Sequence, residues 1–275
     1  MEVRRHANAA DFLERARTWL LRAEAANNLT IGIALNAAAD EPGEQSRFWA
    51  TVEDRGEVLG CCFRTPPHHV GLTRLPAAAI PPLIEHLGLA YDAVPGVSGP
   101  PRPAKAFAAG WCDSVGASWT VHSHQRIHEL RAVRRAARSP AGALRCATPA
   151  DIPLAKRWMA EFIRDAGVLH VSEDLAVQLI RREQLFIWDD QGARSMVATS
   201  RETPNGACIS AVYTPQEHRR RGYASAAVIE LSSRLLGAGK QFCCLYTDLA
   251  NPTSNSIYRR IGYVPVEDAM AIEFE

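Results

Sequence analysis

The chain has 275 residues, enough for one large domain or two of ordinary size, and two is the prediction. Its 31 Lys and Arg nearly cancel its 30 Asp and Glu, so a net charge of +1 draws the protein onto neither nucleic acid nor an anionic membrane. No apolar run approaches the roughly 18 residues that a membrane span needs, and the N-terminal stretch lacks the apolar segment of a signal peptide. A cytoplasmic protein without membrane or nucleic-acid partners is predicted.

The seven cysteines are an odd number, and two pairs of them are adjacent in the chain, Cys61 with Cys62 and Cys243 with Cys244. Both pairs lie in stretches predicted to be strands, where neighbouring side chains point to opposite faces. Neither pair is therefore placed to form a disulfide or a metal clip, and buried reduced thiols are predicted.

Three histidines, His122, His124 and His128, stand close together in the chain. The sequence His128-Glu129 does not continue into an HExxH zinc motif. These histidines are typical of a surface or edge strand, and no metal site is predicted.

A faint repeat relates residues 3–25 to residues 143–166. Each stretch opens with a strand-like piece, passes through Ala-x-x-Ala-Asp and continues as a helix with apolar residues three and four apart. The aspartates that end this motif, Asp11 and Asp151, are predicted as helix N-caps. A chance resemblance of two α+β segments remains an alternative explanation.

Each half then contains two strands joined by a turn at a glycine, Gly56 in the first and Gly192 in the second. The pattern predicts an α+β fold, in which helices flank a mixed, mostly antiparallel sheet. The domains are placed at residues 1–134 and 144–275, with a linker over residues 135–143 that is charged and then rich in small residues.

The halves differ after these strands. In the second half, the β-branched and aromatic run at residues 207–213 predicts a central strand that Pro215 ends. A helix is predicted from about Gly222, and the glycines at Gly237 and Gly239 suit its C-terminal cap. The fragment is therefore predicted to be strand, basic turn and helix. The first half has no such turn, so we expect it to bind no cofactor.

The first turn of a helix binds anions, because its backbone N–H groups are unpaired and the helix dipole is positive there. In this turn the arginines add charge, Gly222 and Ala224 remove bulk, and Ser225 offers a hydroxyl. The predicted phosphate cradle comprises Arg219, Arg220, Arg221, Gly222, Tyr223, Ala224 and Ser225. A nucleic-acid patch would explain only the arginines, and an ordinary solvated helix start would leave Gly222 unexplained.

Two motifs resemble those of the GCN5-related N-acetyltransferases (GNATs). The segment VYTPQEHRRRGYASAAV contains Arg219-x-x-Gly222-x-Ala224, which is similar to the family's acetyl-coenzyme A motif. The segment TDLANPTSNSIYRRIGYVPV is similar to the family's second cofactor motif. The resemblance covers residues 142–275, whereas for residues 1–134 only the repeat suggests a degenerate copy.

The resemblance implies that acetyl is transferred from acetyl-CoA directly to a primary amine. Backbone N–H groups near the end of the central strand, at Val212, Tyr213 and Thr214, would polarise the thioester carbonyl. They would do so in a slot opened where strand 207–213 splays from strand 241–247.

The second motif implies a helix that bears Asn251, Asn255 and Tyr258. Spacings of four and three keep these side chains on one face, so one cofactor molecule could contact all of them. Tyr258 is the candidate general acid for the departing thiolate, since a phenol with a pKa of ~10 remains protonated at neutral pH.

The sequence leaves the general base open, because Glu202 and Asp248 are near the site in sequence only. For the acceptor, a small amine is favoured over a protein, and the protein is expected to be a monomer or homodimer. A catalytically silent CoA-binding sensor is the main alternative function. A nucleic-acid-binding protein using Arg219 to Arg221 with Arg259 and Arg260 is disfavoured by the near-zero net charge.

Overall fold

A computed structural model describes residues 1–39, 47–134, 139–167, 172 and 174–275. The chain divides into two compact units. Unit 1 comprises Met1–Ile127, Asp248–Ala250 and Val266–Glu275. Unit 2 comprises His128–Thr247 and Asn251–Pro265.

Unit 1 places helices on both faces of a mixed sheet. Its elements in chain order are β1 (Glu2–His6), α1 (Ala9–Leu21), α2 (Asn28–Ala39), β2 (Phe48–Asp54), β3 (Glu57–Arg64), β4 (Val70–Leu72), α3 (Ile80–Gly88), β5 (Gly96–Gly99), α4 (Pro101–Val115) and β6 (Trp119–Leu130). The last strand of the chain, β12 (Val264–Phe274), completes the strand order β1-β2-β3-β4-β5-β12-β6. Strands β4 and β5 pair in parallel, whereas β12 pairs with β5 in antiparallel fashion.

Alternation along two strands gives unit 1 two apolar cores. Trp49 and Cys61 point toward α1 and α2, and Phe48 and Cys62 point to the opposite face, toward α3 and α4. All seven cysteines are free thiols, and all except the half-buried Cys146 are buried. The predicted burial of the two adjacent pairs is thereby confirmed, and Cys146 is the exception among the seven.

Unit 2 has the same kind of layering. Its elements are β7 (Ala143–Cys146), α5 (Ile152–Ala166), α6 (Leu175–Arg181), β8 (Leu185–Asp189), β9 (Ala193–Glu202), β10 (Gly206–Tyr213), α7 (Tyr223–Gly237), β11 (Phe242–Asp248) and α8 (Pro252–Ile261). The end of β6 joins them in the strand order β6-β11-β10-β9-β8-β7. Helices α5 and α6 pack on one face of this sheet, and α7 and α8 pack on the other.

The order of helices and strands is the same from β1 to β6 as from β7 to β12. The capping prediction is wrong for Asp11. Asn8 is the N-cap of α1, where its side-chain oxygen accepts a hydrogen bond of 2.9 Å from the N–H of Asp11. Asp151 is the N-cap residue of α5, as predicted, but its side chain makes no capping hydrogen bond there and instead forms a capping box with Thr148. In both places the carboxylate reaches back to the residue three positions earlier.

The structure confirms the predicted α+β class with its mixed, mostly antiparallel sheet flanked by helices. The predicted domain boundaries keep residues 144–275 together, whereas the contacts place residues 266–275 in unit 1, where Ile272 lies opposite Val97. Residues 135–138 of the predicted linker lie outside the described residues. No helix in the described part of the chain is long and apolar enough to cross a bilayer.

Candidate active site

A gap opens between the two parallel strands of unit 2. Strands β10 and β11 pair over only three positions, and the last pair is Cys208 with Cys244. Both strands continue beyond this pair, β10 to Tyr213 and β11 to Asp248. The strands therefore separate at their C-terminal ends, as the family resemblance implies, and the backbone edges beyond Cys208 and Cys244 do not pair with each other.

A bulge accompanies the separation. The pairing of β10 with β9 shifts register between Ser210 and Tyr213, and Ala211 within the shift has a φ of +47°. A bulge bends its strand, and a positive φ is strained for a residue with a Cβ. Ser195 holds the bent end in place, since its hydroxyl donates a 2.8 Å hydrogen bond to the carbonyl of Tyr213 and lies 2.9 Å from the hydroxyl of Thr214.

Helix α7 begins without a side-chain cap. Its N-cap is Gly222, in the left-handed conformation with a φ of +86°. A Cβ at this position would meet only Pro140, at 3.8 Å, so glycine is needed for its conformation rather than for space. The backbone amides of the first turn, ahead of the first helical bond from Ala226, are the donors that a phosphate would use.

The arginines of the predicted cradle are not equivalent. Arg219 donates 2.8 Å and 2.9 Å hydrogen bonds to the carboxylate of Asp165 on α5 and to the carbonyl of Thr214. Arg220 and Arg221 are exposed. Contact of Arg219 with a phosphate stays a prediction, and in the structure this side chain ties the loop before α7 to α5.

Tyr223 contributes backbone rather than side chain to the helix start. Its ring is buried, and its hydroxyl donates a 2.7 Å hydrogen bond to Asp190. Ala224 and Ser225 are half-buried.

Asn251 and Asn255 order helix α8 at the end of β11. Asn251 is the N-cap of α8 and accepts a 3.0 Å hydrogen bond from the N–H of Ser254. The amide of Asn255 donates to the carbonyl of Asn251, and its oxygen accepts a 2.7 Å hydrogen bond from Thr247. Their contact with a cofactor stays a prediction, but they fix the helix that carries Tyr258.

Tyr258 lies in the apolar cluster that also contains Val212 and Leu245 of the two separating strands. Its ring packs edge-on against Tyr263 at 5.8 Å. Burial raises the pKa of Tyr258 to about 12. Its hydroxyl forms no hydrogen bond with any described residue.

Sequence reasoning missed Glu161 on α5. Its carboxylate accepts a 2.8 Å hydrogen bond from the hydroxyl of Tyr213 at the bent end of β10. Burial and this hydrogen bond raise the pKa of Tyr213. The available signal was the spacing of four between Glu161 and Asp165, which is also typical of a solvated helix face. Glu202, by contrast, is opposite Ala207 at the other end of β10.

Residues 190–270 match the family model described as FR47-like protein. The structure is similar to that of a GCN5-related N-acetyltransferase from Sphaerobacter thermophilus, with a TM-score of 0.58, 16% identity, and coverage of 99% of this chain and 95% of that one. The chain has the GNAT fold.

Two further structures share the fold over nearly the whole length. A tandem GNAT protein from the clavulanic acid biosynthesis pathway has a TM-score of 0.55 and 14% identity, and the match covers 100% of this chain and 98% of that one. A Drosophila protein has a TM-score of 0.71 and 11% identity, with coverage of 99% and 98%. The tandem protein supports two GNAT-like domains. A comparison with curated protein sequences finds no match.

Proposed function

We propose that the protein is an acyl-CoA-dependent N-acyltransferase that transfers acetyl from acetyl-CoA directly to a primary amine. The observation that carries this proposal is the gap between β10 and β11, where pairing ends at Cys208 and Cys244 although both strands continue. Unpaired backbone edges can bind the amides of a pantetheine arm, since amide groups act as both donors and acceptors.

The start of α7 supports the same ligand. Its uncapped amides and the left-handed Gly222 offer donors to a pyrophosphate, with the positive end of the helix dipole beside them. In unit 1 the first turn of the corresponding helix α3 contains Pro81 and Pro82, which have no N–H to donate. We therefore place the cofactor in unit 2 alone.

The bent end of β10 can stabilise the reacting carbonyl. Backbone N–H groups from Val212 to Thr214 lie where the bulge turns the strand away from β11. Donors fixed in advance lower the barrier because they need no reorganisation as negative charge develops.

Tyr258 is the proposed general acid. Its raised pKa keeps the proton on the phenol at neutral pH. The same apolar surroundings would also raise the pKa of a departing thiolate, since burial disfavours both anions. Proton transfer from the phenol to the sulfur therefore remains feasible in this cluster.

Glu161 is the proposed base. It is the carboxylate that α5 brings to the end of β10 through its hydrogen bond with Tyr213. A carboxylate in that position can take a proton from an attacking amine, directly or through one water molecule. The sequence alone identified no general base near the central strand, and the lack of one favoured the alternative function of a catalytically silent CoA sensor.

Calorimetry with acetyl-CoA, followed by thiol release against a panel of small amines, tests the proposal. We expect one-to-one binding and release of CoA that depends on an amine. Binding without release under any amine would identify the silent sensor. No binding at all would contradict both functions.

A further inference from the structure

Arg201 on β9 lies next to the last residue pair of the parallel strands β10 and β11, Cys208 with Cys244. It is the register partner of Cys208, which is in turn the partner of Cys244, so the three side chains share one face of the sheet. Its Nη2 is 3.4 Å from the sulfur of Cys208. Its guanidinium carbon lies 5.5 Å from the ring centre of Tyr246 on β11.

This guanidinium lacks an acidic partner. Among the described residues no carboxylate contacts Arg201, and its Nε is buried without a hydrogen-bond acceptor. A buried donor without an acceptor is costly, so the Nε of Arg201 favours a ligand that brings an acceptor, and the positive charge favours an anion.

Cys208 provides only part of the hydrogen-bond acceptors that the Arg201 guanidinium needs. A hydrogen bond from Cys244 and the charge of Arg201 lower the pKa of the Cys208 thiol. A single sulfur atom, however, meets one of the five donors of a guanidinium and leaves the Nε without an acceptor. Arg201 and Tyr246 are also both partly exposed, so a ligand can reach them.

The position of Arg201 relative to the gap is the second argument. Tyr246 lies two residues beyond Cys244, on the part of β11 that no longer pairs with β10. Cys243 and Leu245 alternate with these residues and point into the core beneath α7. Arg201 therefore faces the gap from the side opposite to the helix start that is proposed to hold the cofactor.

We propose that Arg201 binds a carboxylate of the acceptor, so that the substrate is a small molecule bearing both an amine and a carboxylate. The inference rests on the proposed function, whose acceptor it specifies. A planar guanidinium over an aromatic ring suits a carboxylate, which it can contact through two parallel hydrogen bonds. The acceptor amine would then approach the gap from the face opposite to the cofactor.

The test uses ω-amino carboxylates from glycine to 6-aminohexanoate, each paired with its primary amide. Binding to the intact protein at saturating CoA is measured by calorimetry, and acetyl transfer is measured from acetyl-CoA. For at least one pair we expect the carboxylate to bind about tenfold or more tightly than the amide, as expected for a hydrogen bond to a charged group.

Variants assign the preference to Arg201. R201Q should abolish the preference for the carboxylate, because it weakens binding of the carboxylate and not of the amide. R201K should retain part of the preference. R164Q, at an exposed arginine of α5, should leave the preference unchanged. Unaltered CoA affinity shows that R201Q is folded. If R201Q does not fold, the inference is still tested by comparing binding of each carboxylate with binding of its amide in the wild-type protein and in R201K.

Equal binding of every carboxylate and its amide by the wild-type protein, or no binding of either, would overturn the inference. So would a preference that survives in R201Q. Failure of the proposed function is separate, since it would show as a lack of acetyl transfer while the carboxylate preference in binding persisted.

Discussion

Tyr213 and Glu161 are 52 residues apart in the chain, yet the tyrosine hydroxyl donates a 2.8 Å hydrogen bond to the carboxylate. One turn further along α5, Asp165 binds Arg219. Helix α5 thus holds both the bent end of β10 and the loop that leads to α7. Through these two contacts it positions the proposed carbonyl and phosphate sites together.

The proposed base gives the first prediction. E161Q should lower kcat about 100-fold, the lower end of the usual range for a general base, with little change in acetyl-CoA affinity. Y213F should have a smaller effect because the carboxylate remains. Steady-state kinetics with an active amine measures both, and E217Q, at an exposed glutamate, is the matched control. Unchanged kcat in E161Q would exclude this role.

Removal of the phenol is the second test. Y258F should lower kcat about 100-fold and leave the dissociation constant of acetyl-CoA nearly unchanged. With a pKa of about 12, Tyr258 keeps its proton as the pH rises, so kcat should show no alkaline loss from this group below pH 10. Pre-steady-state rates of thiol release over pH 6–10 measure this dependence. A fall in rate at alkaline pH that is present in the wild-type protein but absent in Y258F would contradict the expected absence of a loss from Tyr258.

Backbone conformation at the start of α7 is tested by three substitutions of one glycine. G222A should weaken acetyl-CoA binding about tenfold, because the φ of +86° costs a residue with a Cβ about 1–2 kcal/mol. G222V should abolish binding, because a β-branched residue is a genuine outlier at positive φ and would change the backbone of the helix start. G222N is the matched control, since asparagine tolerates this conformation better than other residues with a Cβ. Calorimetry measures all three. Normal binding by G222V would overturn the cradle.

The role of Arg219 can be separated from direct phosphate contact by a double-mutant cycle with Asp165. If Arg219 acts by holding the loop, R219A and D165N should weaken acetyl-CoA binding to a similar extent, and the double variant should be little worse than either. If Arg219 binds a phosphate itself, R219A should be several-fold worse than D165N. Dissociation constants at two salt concentrations distinguish these outcomes.

Acid stability of unit 1 should depend on Glu53. Hydrogen bonds from Arg15, with a further one from Thr51, lower the pKa of this carboxyl from 4.5 to about 2. Because the unfolded chain binds the proton first, the stabilisation is fully present above about pH 5 and is lost as the pH falls toward 2. Urea unfolding at pH 6 and pH 3 should show a loss of about 2 kcal/mol that E53Q largely lacks. An equal loss in E53Q would contradict the assignment.

Local chemistry in the sequence determined much of the fold and part of the site. Alternation along strands placed Cys61 and Cys62 on opposite faces, and the glycine after the basic turn marked the start of α7. These features depend on neighbouring residues alone, since backbone conformation and the direction of side chains are set within a few positions of the chain.

Tertiary structure decided which of these residues meet. The pairing of Tyr213 with Glu161 and of Arg219 with Asp165 joins positions 52 and 54 residues apart. The buried Nε of Arg201, which lacks an acceptor, is recognised only when β9, β10 and β11 lie side by side. Such contacts depend on how distant segments pack, and neither residue type nor local spacing encodes that packing.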